Sequence, residues 1–236
     1  MSDAHADATT GATDPATAER VRHAVYDRFA ATGSASSVDD IALQLGLDRR
    51  VAAAAFDRLA SERHIVLDDD RRILMAHPFA SIPLGFSVMG PETLWWGGCA
   101  WDSFAIPHLV PAAPEVLVAT TCPNCGTPHA WRVGRDHAPS GDQVVHFLVP
   151  TAHIWDDVVH TCAHQSIFCS DACVEEWLTR ERHERGYTMS LETLWRLASH
   201  WYEGRLDTPY RRRDPQTAAA YFRSVGLHGP FWGLDD

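Results

Sequence analysis

Two cysteine pairs, "CPNCG" at 122–126 and "FCSDAC" at 168–173, constrain the folding of this chain more than any other feature of its sequence. The first is a CxxC knuckle after a strand-like run, closed by a glycine. The second precedes and enters a helical segment. Four thiolates so distributed suit a tetrahedral zinc in a treble-clef-like site, which would make two segments distant in sequence meet at one point. The interval between the pairs is longer than in compact fingers, and simple packing of the thiols is the competing reading. Cys122, Cys125 and Cys173 are therefore candidate structural zinc ligands. Cys169 completes the set only if it has no other use.

The rest of the chain divides by its periodicity. Residues 1–16 are small, polar and acidic and read as a disordered tail, with no cationic segment leading into an apolar one. Apolar spacing then predicts a helix in "TAERVRHAVYDRFAAT", a short capped helix in "SVDDIALQLGL" and a longer one in "DRRVAAAAFDRLASERHIV". "LDDDRRILMA" reads as two short strands around an acidic turn. Three helices and a hairpin make a winged helix-turn-helix-like domain over 17–83. Beyond it, "EVLVATTC", "HAWRV" and "QVVHFLVP" read as strands. "DACVEEWLTRERHERG", "SLETLWRLASHWYEGRL" and "DPQTAAAYFRSVGL" read as helices, each preceded by Ser or Asp as a cap. The tail "GPFWGL" is too apolar to hang free and is expected to dock. The fold class is α+β, with a mixed sheet-and-helix domain over 84–236.

Charge bears on the first domain. The net charge is −11 and every cation is an arginine, so a nucleic-acid partner is not expected: two arginines opening the third helix are a poor phosphate footprint. No apolar run is long enough to span a bilayer, so no membrane partner is expected and the setting reads as cytoplasmic. Six cysteines in a reducing compartment point to metal or thiol chemistry rather than disulfides.

"WWGGCAWDSFAIP" at 95–107 carries such chemistry. Cys99 and Asp102 stand at i and i+3, on one face of a helix. Burial among Trp95, Trp96, Trp101 and Phe104 would favour the proton-carrying form of the carboxylate. Gly97 and Gly98 leave room for a ligand or another backbone segment. Cys169, just before a helix start, is placed for a lowered thiol pKa. The plain alternative is a buried thiol beside a capping carboxylate. Two thiolates and one acid would suit capture of a soft metal such as mercury with protonation of the carbon it carries. Cys162 in "HTCAHQS" reads as packing or an incidental thiol, and His153, His160 and His164 as a polar loop. Arg211, Arg212 and Arg213 read as an exposed turn, and the later tryptophans as core.

With "GGCAWDSFAIP", "TTCPNCGTP" and "SIFCS" taken together, the sequence resembles the alkylmercury (organomercurial) lyase family over roughly residues 17–185. The resemblance implies protonolysis of carbon–mercury bonds for detoxification and mercury resistance. It also implies that Cys99 and Cys169 are the mercury-binding thiolates, Asp102 the proton shuttle and Cys122 a structural cysteine. It implies no required cofactor beyond the candidate zinc. Its partners are organomercurial small molecules and cellular thiols, with a mercuric reductase as a candidate recipient of the metal. Gly98 departs from the aromatic residue expected before the first cysteine, and the segment from "LETLWRLASHWY" onward carries no part of the resemblance. Two other readings remain open: a non-catalytic module stabilised by zinc on four cysteines, and a thiol-based metal-responsive winged-helix regulator.

Overall fold

The computed structural model describes residues 14–235; residues 1–13 of the tail expectation lie outside them. Helix α1 (Pro15–Thr32) starts at Asp14, whose carboxylate accepts from the Thr17 amide, and absorbs the last residues assigned to the tail. It ends at Gly33, whose φ of 69° is in the left-handed region. A side chain there would also collide with the Leu94 carbonyl, 2.1 Å from an ideal Cβ, so only glycine serves. A reciprocal Ser37–Asp40 capping box opens α2 (Val38–Leu45), and Asp48 caps α3 (Arg49–Ser61). Val21, Val25 and Phe29 of α1 pack with Ile41, Phe56 and Leu59 in a shared core.

The expected hairpin follows as β1 (Val66–Leu67) and β2 (Ile73–Ala76). It does not close off a separate unit. Strand β2 pairs with β3 (Phe79–Ala80), and the sheet continues through β4 (Phe86–Met89) and β5 (Leu94–Gly97). Beyond α4 (Ala100–Leu109) it takes in β6 (Glu115–Thr121) and β7 (Pro128–Gly134). The result is one antiparallel sheet in the order β1-β2-β3-β5-β4-β6-β7. The expected boundary at 83/84 thus falls inside a continuous sheet. Phe79 stacks on Phe29 at 5.6 Å, and the Trp95 indole donates to the Phe29 carbonyl at 2.8 Å, so the helices and the sheet share apolar surface.

Helix α4 is apolar on all sides, and every residue but His108 is buried; such a helix belongs in a core. It packs on the large sheet with one face and on α7 with another. The remaining elements are β8 (Val144–Phe147), α5 (Val158–Ala163), β9 (Gln165–Phe168), α6 (Asp171–Glu181), β10 (Tyr187–Ser190), α7 (Leu191–Trp201) and α8 (Pro215–Ser224). Strands β10, β8 and β9 form a second antiparallel sheet. Ser170, Ser190 and Asp214 cap α6, α7 and α8, each accepting from the amide three residues on. The C-terminal tail docks, with Trp232 and Leu234 buried. The architecture is α+β. No helix among the described residues is long and apolar enough to cross a membrane.

Candidate active site

Cys99 sits where β5 turns into α4 and is itself the N-cap, its sulfur 3.5 Å from the Asp102 amide. One turn into the helix, Asp102 is buried and its carboxylate folds back over Gly98. The two glycines therefore do not leave space for a ligand. An ideal Cβ on Gly98 would stand 2.2 Å from Asp102 Oδ2, and one on Gly97 2.0 Å from Ser103 Oγ, so side chains of α4 fill that room.

Four further segments converge on this helix start. Cys162, buried in α5, lies 4.0 Å from Asp102 Oδ2 and near enough to the Cys99 thiol to feel it electrostatically. His77, between β2 and β3, holds Nε2 3.5 Å from the Cys162 sulfur and 4.0 Å from Asp102 Oδ2. Gln165, at the start of β9, accepts from the Cys99 thiol at 3.0 Å. Tyr202, just past α7, donates a short hydrogen bond to Asp102 Oδ1. Behind it Arg205 is buried, its guanidinium 5.0 Å from the Tyr202 ring and bonded to Tyr26, Tyr210 and the His77 carbonyl.

These surroundings divide the proton between the two thiols. The neighbouring Cys99 thiol outweighs burial and, with His77, lowers the Cys162 pKa. Burial first, then the Cys162 contact and the Asp102 charge, push the Cys99 thiol well above its ordinary value. Burial alone would lower His77, but the Asp102 carboxylate and the Cys162 sulfur outweigh it and raise its pKa. Burial and the adjacent carboxylate raise Tyr202 far enough to keep it a donor. Of the two thiols, Cys162 is thus the one more readily ionised and Cys99 the one that better keeps its proton. His77, Asp102 and Cys162 also bring their ligand atoms within 4.8 Å of one another, a spacing that suits a bound metal.

Cys99, Asp102 and Cys162 open on a cavity of about 470 Å³. Its walls are Trp101, Trp155, Trp201, Phe222 and Trp232, with Arg63, Arg212 and Arg213 also lining it. Arg212 lies over the Trp155 ring at 5.2 Å and Arg213 over the Tyr221 ring at 4.9 Å, so these arginines are part of the site and not a free turn. Trp95 and Phe104, expected around the carboxylate, do not line the cavity: Trp95 is committed to Phe29, and Phe104 to Trp131 at 6.1 Å.

The expected meeting of Cys99 with Cys169 does not occur. Strand β9 starts at Gln165, beside Cys99, and runs away from it. Four extended residues at about 3.3 Å each carry Cys169 roughly 13 Å along the strand from Gln165. There it joins Cys122, Cys125 and Cys173, and it is not among the residues lining the cavity. Nor is its thiol pKa lowered: burial and the Cys125 sulfur push it up to about 12. The cysteine that lies beside Asp102 in the cavity with Cys99 is Cys162. The sequence reading also missed His77, Gln165 and Tyr202. The one local signal was the cysteine of "HTCAHQSIF", which shares its segment with "SIFCS".

A family model described as alkylmercury lyase matches residues 79–203, more than half of the chain and a span holding Cys99, Asp102, Cys162, Gln165 and Tyr202. No curated protein matches. Among solved structures, the crystal structure of the mercury-bound form of MerB2 is similar, with a TM-score of 0.62 at 18% identity. That likeness covers 82% of this chain and 93% of the other and concerns the fold.

Proposed function

This chain belongs to the alkylmercury lyase family, and from that premise we propose that Cys162, Cys99 and Asp102 carry out the protonolysis. The observation that carries the assignment is that Asp102 stands beside both cysteines and that all three line one aromatic-walled cavity.

An organomercurial enters with its organic group against the tryptophans and its mercury toward the thiols. The Cys162 thiolate attacks mercury first and displaces the thiol or halide that the substrate brought with it. Soft sulfur on soft mercury makes this bond favourable. Cys99 then forms the second sulfur–mercury bond, and its proton passes to the Asp102 carboxylate. Two sulfur donors raise the electron density on the bound carbon. The carbon–mercury pair takes the proton from Asp102, the hydrocarbon leaves, and mercury stays bridged between the two sulfurs. Asp102 ends as it began, held by Tyr202. Free cellular thiols exchange the metal off, restoring the Cys99 proton and the Cys162 thiolate. A mercuric reductase would consume that product. Both thiols must be reduced for turnover, which fits the cytoplasmic setting expected from the sequence.

The test is hydrocarbon release from methylmercury with excess thiol present. Cys162→Ser should lose capture and release together, because an alcohol is a hard, poorly ionised ligand for mercury. Cys169→Ser should retain most of the release rate. Loss of release in Cys169→Ser, with wild-type release in Cys162→Ser, would restore the pairing expected from the sequence.

A further inference from the structure

The four cysteines outside the cavity form a site of their own. The sulfurs of Cys122, Cys125, Cys169 and Cys173 all lie within 4.8 Å of one another, with Cys125 and Cys169 at 3.5 Å. A tetrahedral zinc with sulfurs at about 2.3 Å requires them about 3.8 Å apart, so the cluster already has nearly the required size. We propose that these four thiolates bind one structural zinc ion, distinct from the mercury-handling site and independent of the lyase reading.

Burial does not explain the cluster. Cys122 is buried, but Cys169 and Cys173 are half-exposed and Cys125 is exposed, so apolar packing gives no reason for all four sulfurs to point at one spot. All four are free thiols. The backbone around them is arranged as a ligand knuckle. The Gly126 amide donates to the Cys122 carbonyl and the Cys122 amide to the Thr127 carbonyl, both at 2.9 Å, with Gly126 turned to a φ of 72°. The second pair sits at the start of α6, whose positive end favours a negatively charged zinc–thiolate group. His129 Nε2 lies 3.5 Å from the Cys169 sulfur and Thr127 Oγ1 3.1 Å from that of Cys125, close enough to donate to thiolates.

Protein contacts brace the same junction. Arg180 of α6 donates to the carbonyls of Pro123 and Asn124, and the Asn124 amide donates to Glu176. Zinc binding would release the thiol protons to solvent and close all four coordination positions, as in structural rather than catalytic sites. The ion would tie the β6–β7 turn to α6. Between them lies β9, whose other end carries Gln165 against Cys99. Zinc occupancy would also keep four reactive sulfurs from trapping the mercury that Cys99 and Cys162 must release.

The full-length protein, purified with reductant and without chelator, should hold one zinc per chain by elemental analysis. Cobalt substituted into it should show the intense visible ligand-field bands and near-ultraviolet sulfur-to-metal charge transfer of a tetrahedral thiolate site. Cys125→Ser and Cys173→Ser should lose most of the zinc. Cys173→His, which keeps a zinc ligand, should retain the ion and shift the cobalt spectrum. Cys99→Ser and Cys162→Ser should keep wild-type zinc content. Metal-free, folded wild-type protein that takes up neither zinc nor cobalt would overturn the proposal. So would zinc that disappears in Cys162→Ser yet persists in Cys125→Ser and Cys173→Ser.

Discussion

Gly98→Ala asks whether the position of the Asp102 carboxylate, and not merely its presence, sets the rate of hydrocarbon release. An added Cβ would stand 2.2 Å from Asp102 Oδ2 and 2.6 Å from Met75 Cε, whereas ordinary contact begins at 3.4 Å. The carboxylate must therefore retreat by roughly 1 Å, and a displacement of that size costs on the order of 10²-fold in rate. It cannot swing aside freely, because it is buried and its other oxygen is held by Tyr202. Crowding a packed site also costs about 1–3 kcal/mol of stability, which thermal unfolding would register. Mercury capture should survive, since neither sulfur has been altered. The assay is headspace methane from methylmercury, run beside a measurement of protein-bound mercury. Asp102→Asn provides the scale, with an expected loss of about 10²–10⁴-fold. Adding Gly98→Ala to Asp102→Asn should cost little more, because both changes remove the same proton transfer. Wild-type methane release from a folded Gly98→Ala protein would refute the reasoning, as would losses that simply multiply in the double variant.

His77→Gln should shift the acid limb of the capture rate to higher pH, because the ring that helps lower the Cys162 pKa is gone; an unmoved profile would remove His77 from the site's electrostatics. His77 is raised in the folded protein, so its stabilising contribution is full below its ordinary value of 6.5 and is lost as pH rises through the raised value. The wild-type protein, and not His77→Gln, should show that loss in urea unfolding as a function of pH. Arg22→Leu should destabilise by about 1–3 kcal/mol in urea titrations, the cost of leaving a buried acceptor without its donor, and it breaks the pair with Glu19. It also strips the donor from the Arg205 and Asp207 carbonyls, each bonded at 2.6 Å. DNA titrated at physiological salt should bind only weakly and without sequence preference. Arg49 is paired with Asp39 at 2.6 Å and Arg71 with Asp57 at 2.8 Å, so these cations are already neutralised; tight, selective binding would contradict this.

Much of the local structure was legible in the residues. Gly33 and the Ser37–Asp40 box ended and started helices where periodicity and capping chemistry placed them, because those signals act within one turn of chain. The knuckle at 122–126 and the cysteines opening α6 were visible for the same reason. So were Cys99 and Asp102 as a pair, being three residues apart on one helix. The continuity of the sheet across the expected domain boundary was not. It depends on β3 finding β5 across a segment with no strand signal strong enough to read.

The second thiol shows where sequence stops. Cys162 and Cys169 flank a single short strand, and nothing in their spacing says which end meets Cys99. The direction of β9 across β8 decides it: Gln165 and Cys162 turn inward, and Cys169 is carried outward to three other sulfurs. His77, just before the matched region, and Tyr202, near its end, reach Asp102 from more than a hundred residues apart in the chain. Helix caps, turns and CxxC spacings follow from chemistry between near neighbours, so one sequence suffices to read them. Which thiol meets which acid depends on the packing of α4 between a sheet and α7, and only the tertiary structure decides that.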